Sequence, residues 1–173
     1  NRGTSSISSG VGDPGGVSYG KYQLSSNTGT LRQFLDSSGY SKDFKGLSPG
    51  GPLFNAKWEK LSQLEDFQIA EHDFIEETHY MPLREYADTL DLLSTPAINE
   101  ALWSMSVQHG KAKRIVQIAI EALASNHQNE HKIVNALYDA REKYVTFLNL
   151  PHNTLKSLLK RYKSERVVVL EMI

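Results

Sequence analysis

The stretch GVGDPGGVSYGKYQL, residues 10–24, decides how the rest of the sequence is interpreted. Five of its fifteen residues are glycine, and Asp-Pro-Gly-Gly at residues 13–16 is a strong turn signal, because proline fixes φ and glycine accepts positive φ. Residues 17–22 then alternate in the manner of a short strand. The stretch is therefore either a surface hairpin without a function or a loop that must come close to a ligand.

After this stretch the apolar period becomes helical. Leu31, Phe34 and Leu35 follow the i, i+3, i+4 spacing, and Gly39 is a stop signal. Similar patterns predict seven or eight helices in all, separated by short loops and by a longer loop at residues 40–52. One such stripe contains Ile98, Leu102 and Met105, and another, in the helix at 130–149, ends with Phe147. The predicted helices cover residues 30–38, 53–62, 64–79, a short one from Pro82, one from Pro96 to Gly110, and 112–124, 130–149 and 153–172. The sequence therefore predicts an α+β fold that is mostly α.

Length and composition restrict the class of protein. A chain of 173 residues suits a single domain, 1–173, with a hairpin region at 1–27 and a helical body at 28–173. The formal net charge is −1 and no basic block stands out, so we expect no nucleic-acid partner. No apolar run is long enough for membrane insertion, and there is no cysteine. Because the chain begins with Asn1, we expect it to be the C-terminal piece of a longer protein.

Several familiar kinds of catalytic site do not fit the sequence. His72 and His79 are seven residues apart, which on a helix separates them by roughly 10 Å, too far for one zinc ion. Ser18 lies between glycines but outside a Gly-x-Ser-x-Gly elbow, and the glycine-rich loop lacks the lysine of a phosphate loop. We therefore expect neither a metal nor a cofactor.

A carboxylate remains as the chemical group of interest. Asp13 opens the predicted turn, where backbone N–H groups would keep it ionised. Most such aspartates only stabilise a turn, but hydroxyl, amide and aromatic side chains follow closely on residues 18–23. Sugars are bound by such combinations, and glycines let a polymer lie against the backbone. A carboxylate in this setting suggests glycosidic cleavage, which usually needs a second carboxyl group.

The long motif at residues 8–35, together with FNAKWEKL, AEHDFIEETHY and SVQHG further on, resembles a family of peptidoglycan-cleaving domains. They occur in phage tail and lysis proteins and at the ends of type VI secretion spike and cargo effectors, and they are similar to chitosanases and lysozyme-like muramidases. The resemblance covers nearly the whole chain. It implies a bilobed, lysozyme-like fold with a cleft between the lobes. It also implies hydrolysis of the β-1,4 bond between N-acetylmuramic acid and N-acetylglucosamine, by a secreted antibacterial effector or phage lytic domain acting in the periplasm or cell wall of a target bacterium.

The resemblance also implies roles for particular residues. Asp13 matches the second catalytic carboxylate, and the family's general-acid glutamate belongs to a Glu-Ser-Gly triplet that would lie upstream of Asn1. Within the chain, Glu71 and Asp73 are the only substitutes that the sequence places nearby, and we do not favour them. The implied substrate-binding residues are Ser18, Tyr19, Tyr22, Gln23, Gln108 and His109.

Alternatives stay open at this point. His109 lies on an apolar stripe, so a buried structural histidine is an alternative to a ligand contact, while Trp103 fits either packing or sugar stacking, and Trp58 the core. The domain could also be a chitosanase-like hydrolase or a catalytically dead wall-binding module. Peptidoglycan strands are the expected partner, and a secreted effector implies a cognate immunity protein that blocks the cleft around Asp13 and Tyr19.

Overall fold

The computed structural model describes residues 3–9, 15–123 and 129–173, and the first part of the predicted turn at 13–16, with Asp13, lies outside them. The contacts divide the chain into two units, residues 1–78 and 79–173. The first unit therefore contains three of the predicted helices as well as the hairpin region.

A three-stranded antiparallel sheet opens the first unit. The strands β1 (Ile7–Ser9), β2 (Val17–Tyr19) and β3 (Leu24–Ser25) pair in the order β1-β2-β3. The predicted strand begins at Val17 but does not run on to Tyr22, because Gly20 (φ 79°) and Gln23 (φ 57°) turn the backbone left-handed. Residues 20–23 therefore form the turn between β2 and β3, which we call the β2–β3 turn.

The helices of the first unit follow the predicted pattern closely. They are α1 (Thr30–Ser37), a 3-10 helix (Tyr40–Phe44) inside the predicted loop, α2 (Pro52–Leu61) and α3 (Glu65–Ile75). A π-helical segment (Glu76–Tyr80) continues α3 and includes the first two residues assigned to the second unit. Trp58 lies fully buried, as predicted, with its ring centroid 5.0 Å from that of Phe67. Its indole N–H donates to the carbonyl of Thr4 at 2.9 Å, which joins α2 to the segment before the sheet.

The regular elements of the second unit are all helices in its described residues. It contains α4 (Met81–Asp88), α5 (Pro96–Gln108), α6 (Ala112–Leu123), α7 (Glu130–Phe147) and α8 (His152–Leu170). Ile98, Leu102 and Met105 are buried, which confirms the predicted stripe of α5. Phe147, predicted to lie on the buried stripe of α7, is 77 % exposed because the helix ends there.

These elements confirm the predicted class, α+β and mostly α. None of the helices in the described parts of the chain has the length and apolar content that a bilayer span requires.

Candidate functional site in the first unit

Tyr19 occupies the interior of the first unit and not its surface. Its ring is fully buried between Phe54 and Trp58, with centroid distances of 5.0 and 5.1 Å. Its hydroxyl donates to Asn55 Oδ1 at 2.6 Å and accepts from the Gly50 amide at 2.7 Å. The structure therefore corrects the expectation that Tyr19 contacts substrate, since the buried ring supports the sheet from beneath.

Ser18 lies on the central strand next to Tyr19. It is half-buried and opposes Ser8 of β1 and Ser25 of β3 in the ladder. Side chains alternate between the two faces of a strand, so Ser18 lies on the opposite face from Tyr19. Its predicted contact with substrate stays a prediction.

Tyr22 and Gln23 lie together in the β2–β3 turn. The Tyr22 hydroxyl and His72 Nδ1 are 2.6 Å apart, and Lys21 Nζ lies 5.4 Å from the centre of the Tyr22 ring. The Gln23 amide donates to the Gly20 carbonyl at 2.7 Å, while its oxygen accepts from Ser8 Oγ at 2.5 Å. The turn thus carries an aromatic ring, an amide and an ammonium group in one place, held by bonds to α3 and β1.

Burial and two acidic neighbours shape the chemistry of the Tyr22 hydroxyl. Burial, followed by the charges of Glu71 and Glu76, raises its pKa to about 12. Tyr22 therefore stays neutral across the physiological range, and its hydroxyl is available for hydrogen bonding in its neutral form.

Glu71 lies beneath the turn and is the least expected group in this unit. It is 1 % exposed, and its Oε1 accepts from the Tyr22 amide at 3.2 Å. Burial raises its pKa to about 7, although bonds from the Tyr22 and Lys21 amides and the Lys21 charge act the other way. With 1 % exposure, Glu71 cannot reach a substrate in this arrangement, so it does not replace the general acid.

The sequence contains a signal for the burial of Glu71. It follows Phe67 by four residues and precedes Phe74 by three, and both phenylalanines are buried. A carboxyl at that spacing lies on the apolar stripe of α3, so the stripe alone predicts a buried acid.

We expect Glu71→Gln to change how stability depends on pH. A carboxyl whose pKa is near 7 when folded and 4.5 when unfolded stabilises the protein less and less as pH rises from 4.5 through 7. The shift corresponds to about 3 kcal/mol in the free energy of unfolding. We therefore compare the free energies of unfolding of Glu71→Gln and the wild type by urea denaturation at pH 4 and at pH 9. The value for Glu71→Gln minus that for the wild type should be about 3 kcal/mol larger at pH 9 than at pH 4. Parallel pH curves for the two proteins would contradict the assignment.

Gly20 touches the same carboxyl and is predicted to tolerate no side chain. A Cβ at Gly20 would lie 2.0 Å from Glu71 Oε1, and the φ of 79° is unfavourable for any other residue. The left-handed backbone and the displaced carboxyl together should cost Gly20→Ala about 3 kcal/mol of unfolding free energy. Gly39→Ala is the control, since Gly39 has a φ of 81° and nothing within 4 Å. That control should lose only about 1 kcal/mol, and equal losses would refute the contact.

Gln108 and His109 belong to the second unit and surround a buried arginine. Arg141 donates from Nε to His109 Nε2 at 3.1 Å and from Nη2 to the Gln108 oxygen. His109 is buried and also lies 3.2 Å from the Tyr162 hydroxyl. Burial, then the Arg141 charge, lowers the His109 pKa to about 4, so the ring is neutral at physiological pH. The contacts of both side chains are thus internal, and substrate contact by either stays a prediction.

The Trp103 ring packs 5.3 Å from that of Tyr80. Within the described residues, no cluster of three histidine, aspartate or glutamate side chains could hold a metal ion.

Two solved structures share this fold. One is described as a chitosanase complex (TM-score 0.62, 18 % identity) and the other as a co-crystal structure of chitosanase OU01 with substrate (TM-score 0.59, 15 % identity). In each case the match covers 81 % of this chain and 68 % of the other.

Sequence comparison gives the family. The type VI secretion system spike protein VgrG3 of Vibrio cholerae serotype O1 (strain ATCC 39315 / El Tor Inaba N16961) is 31 % identical over 178 residues. That match spans 99 % of this chain but only 17 % of the spike protein. Residues 1–166 match the family described as type VI secretion system spike protein VgrG3-like, C-terminal. The chain therefore belongs to the VgrG3-like C-terminal family of type VI secretion system spike proteins.

Proposed function

We propose that this domain is a glycoside hydrolase that cleaves the β-1,4 bond between N-acetylmuramic acid and N-acetylglucosamine in bacterial peptidoglycan. The observation that carries the proposal is the combination of its family with its fold. The family is that of a type VI spike protein, and the solved structures that share the fold are described as chitosanases. The assignment of muramidase activity in particular is based on the family resemblance of the sequence motifs around Asp13.

In the proposed reaction the carboxylate of Asp13 activates water or stabilises the positive charge that develops on the sugar. The general acid comes from a glutamate upstream of Asn1 and protonates the leaving oxygen. Most glycoside hydrolases place two such groups on opposite sides of the bond that they cleave. Tyr22, Gln23 and Ser18 would hold the glycan.

The charge of the β2–β3 turn supports an acetylated glycan as substrate in preference to chitosan. Chitosan carries protonated amines, so a chitosan-binding surface should present acids. The exposed charge of this turn is the ammonium group of Lys21, beside Tyr22. Glu71, the acid beneath the turn, is buried and has a raised pKa, so its charge is suppressed below about pH 7.

The family also supports a proposal about delivery and partners. The domain would act as a secreted antibacterial effector on the wall of a target bacterium, in the periplasm. The producing cell would then need an immunity protein that covers the site near Asp13. A pull-down with candidate small secreted proteins encoded beside it should recover a complex, and failure to recover one would count against this proposal.

The experiment that tests the activity compares two polymers. Purified peptidoglycan and chitosan are each incubated with the 173-residue chain and with a version extended upstream to include the Glu-Ser-Gly triplet that the resemblance implies. We expect soluble sugar from peptidoglycan with the extended version. Release from chitosan instead would indicate a chitosanase, and binding to the wall without release would indicate a binding module.

A further inference from the structure

We propose that Glu71 is a positioning residue that sets the glycan-binding geometry of the β2–β3 turn. The inference deepens the proposed function and rests on it, because it assigns a role in the same site to a residue that never touches the glycan. It follows from three features of the first unit: how Glu71 contacts the turn, how its neighbour contacts the same turn, and which charges surround it.

The first feature is close contact between a side chain and a backbone. Glu71 Oε1 accepts from the Tyr22 amide, and the absence of a Cβ at Gly20 is what leaves room for the carboxyl. The carboxyl thus occupies the inside of the turn, next to the bond that the Gln23 amide donates to the Gly20 carbonyl. Removing it would leave the Tyr22 amide without this acceptor and open a space under the turn.

The second feature is that consecutive residues of α3 hold different parts of Tyr22. Glu71 bonds its backbone, while His72 bonds its hydroxyl at 2.6 Å. One helix therefore holds Tyr22 both at its backbone and at its hydroxyl. Because binding geometry within about 0.5 Å depends on such supporting contacts, loss of the backbone contact should weaken glycan binding more than it slows bond cleavage.

The third feature is the charge around the carboxyl. The turn brings Lys21 and the neutral hydroxyl of Tyr22, α3 brings His72, and the π-helical segment brings Glu76. Lys21 favours the ionised form of Glu71, but burial outweighs it. The carboxyl is therefore neutral below about pH 7. Above pH 7 it ionises, and because water stabilises the carboxylate, ionisation favours an opened turn that admits water.

The test measures KM and kcat on soluble glycan fragments at pH 6 and pH 9 for the extended version. The variants are Glu71→Gln, which keeps the acceptor without titrating, Glu71→Ala, which removes it, and Glu65→Gln on the exposed start of α3 as control. In the wild type and the control, KM should rise about tenfold between the two pH values. The general acid also ionises over this range, so kcat should fall, but by the same factor in all four proteins. Glu71→Gln should show no such rise, and Glu71→Ala should show the high KM already at pH 6.

A wild-type KM that does not depend on pH, or an equal rise in Glu71→Gln, would overturn the proposal. Hydrogen exchange of the amides of residues 20–23 provides a readout that needs no activity. After correction for intrinsic rates, and relative to α1, these amides should lose about tenfold in protection from pH 6 to pH 9 in the wild type and in the Glu65→Gln control, but not in Glu71→Gln. If that loss occurs but no glycan is bound, the proposed function fails while the turn contact stands; if protection is identical in all variants, Glu71 does not position the turn.

Discussion

Arg141→Met is expected to lower the free energy of unfolding by about 4 kcal/mol. Arg141 is fully buried in the second unit, and each of its nitrogens donates. Besides its bonds to His109 and Gln108, it bonds Glu165 Oε2 at 3.0 Å and Ser104 at 3.1 Å. Methionine fills a similar volume but donates nothing, so these acceptors lose their partner in the interior.

An aromatic contact adds to this loss. The guanidinium carbon lies 4.2 Å from the centre of the Tyr162 ring, and Tyr162 is itself fully buried. A desolvated cation over a ring contributes about 2 kcal/mol, which methionine recovers only in part. The substitution also leaves Glu165, 25 % exposed at its side chain, with Arg161 as its remaining ionic partner among the described residues.

The measurement is urea denaturation followed by far-ultraviolet circular dichroism, with Arg32→Met as the matched control. Arg32 is 87 % exposed at its side chain and pairs with Asp36 at 3.6 Å within α1. An exposed pair of this kind contributes at most about 1 kcal/mol. Similar losses for the two variants would mean that the Arg141 cluster does not stabilise the second unit.

Asp13→Asn is expected to slow the release of fragments from peptidoglycan by about a thousandfold. Asparagine has nearly the same shape as aspartate but carries no charge, so it neither accepts a proton from water nor stabilises a cationic sugar. Binding to the wall should change little, because Tyr22 and Gln23 are untouched. The comparison is made in the extended version, with rates taken from released reducing ends.

The control for this second prediction is Asp43→Asn, an exposed aspartate in the 3-10 helix of the same unit. It should retain the wild-type rate. An Asp13→Asn protein as active as this control would show that Asp13 carries no part of the reaction, and the catalytic carboxylate would have to be sought elsewhere.

The helices were the most predictable part of the fold. Ile98, Leu102 and Met105 form a stripe that only a helix explains, and a threonine followed by proline marks its start. Phe147 fits the apolar spacing of α7 but is the last residue of that helix. At a helix end, apolar spacing does not predict whether the core still covers the side chain. The ends of elements therefore depend on tertiary contacts that a period does not contain.

The site was less predictable, for two physical reasons. The alternation of side chains along β2 predicts that Ser18 and Tyr19 lie on opposite faces of the sheet, but it does not predict which face is covered. In the structure, packing against α2 buries Tyr19. The return of the chain into β3 depends on Gln23 adopting a positive φ, which glutamine rarely does and which no local sequence signal indicates. The catalytic role of Asp13 was predicted from the resemblance to a family, since an aspartate in a turn does not by itself indicate catalysis.

The measurement that tests the central claim most directly is mass spectrometry of the fragments that the extended version releases from purified peptidoglycan, after borohydride reduction. The account predicts disaccharide-peptides with reduced N-acetylmuramic acid at their ends, as hydrolysis of the bond between N-acetylmuramic acid and N-acetylglucosamine requires. Fragments that end in reduced N-acetylglucosamine, or peptides without sugar, would contradict it.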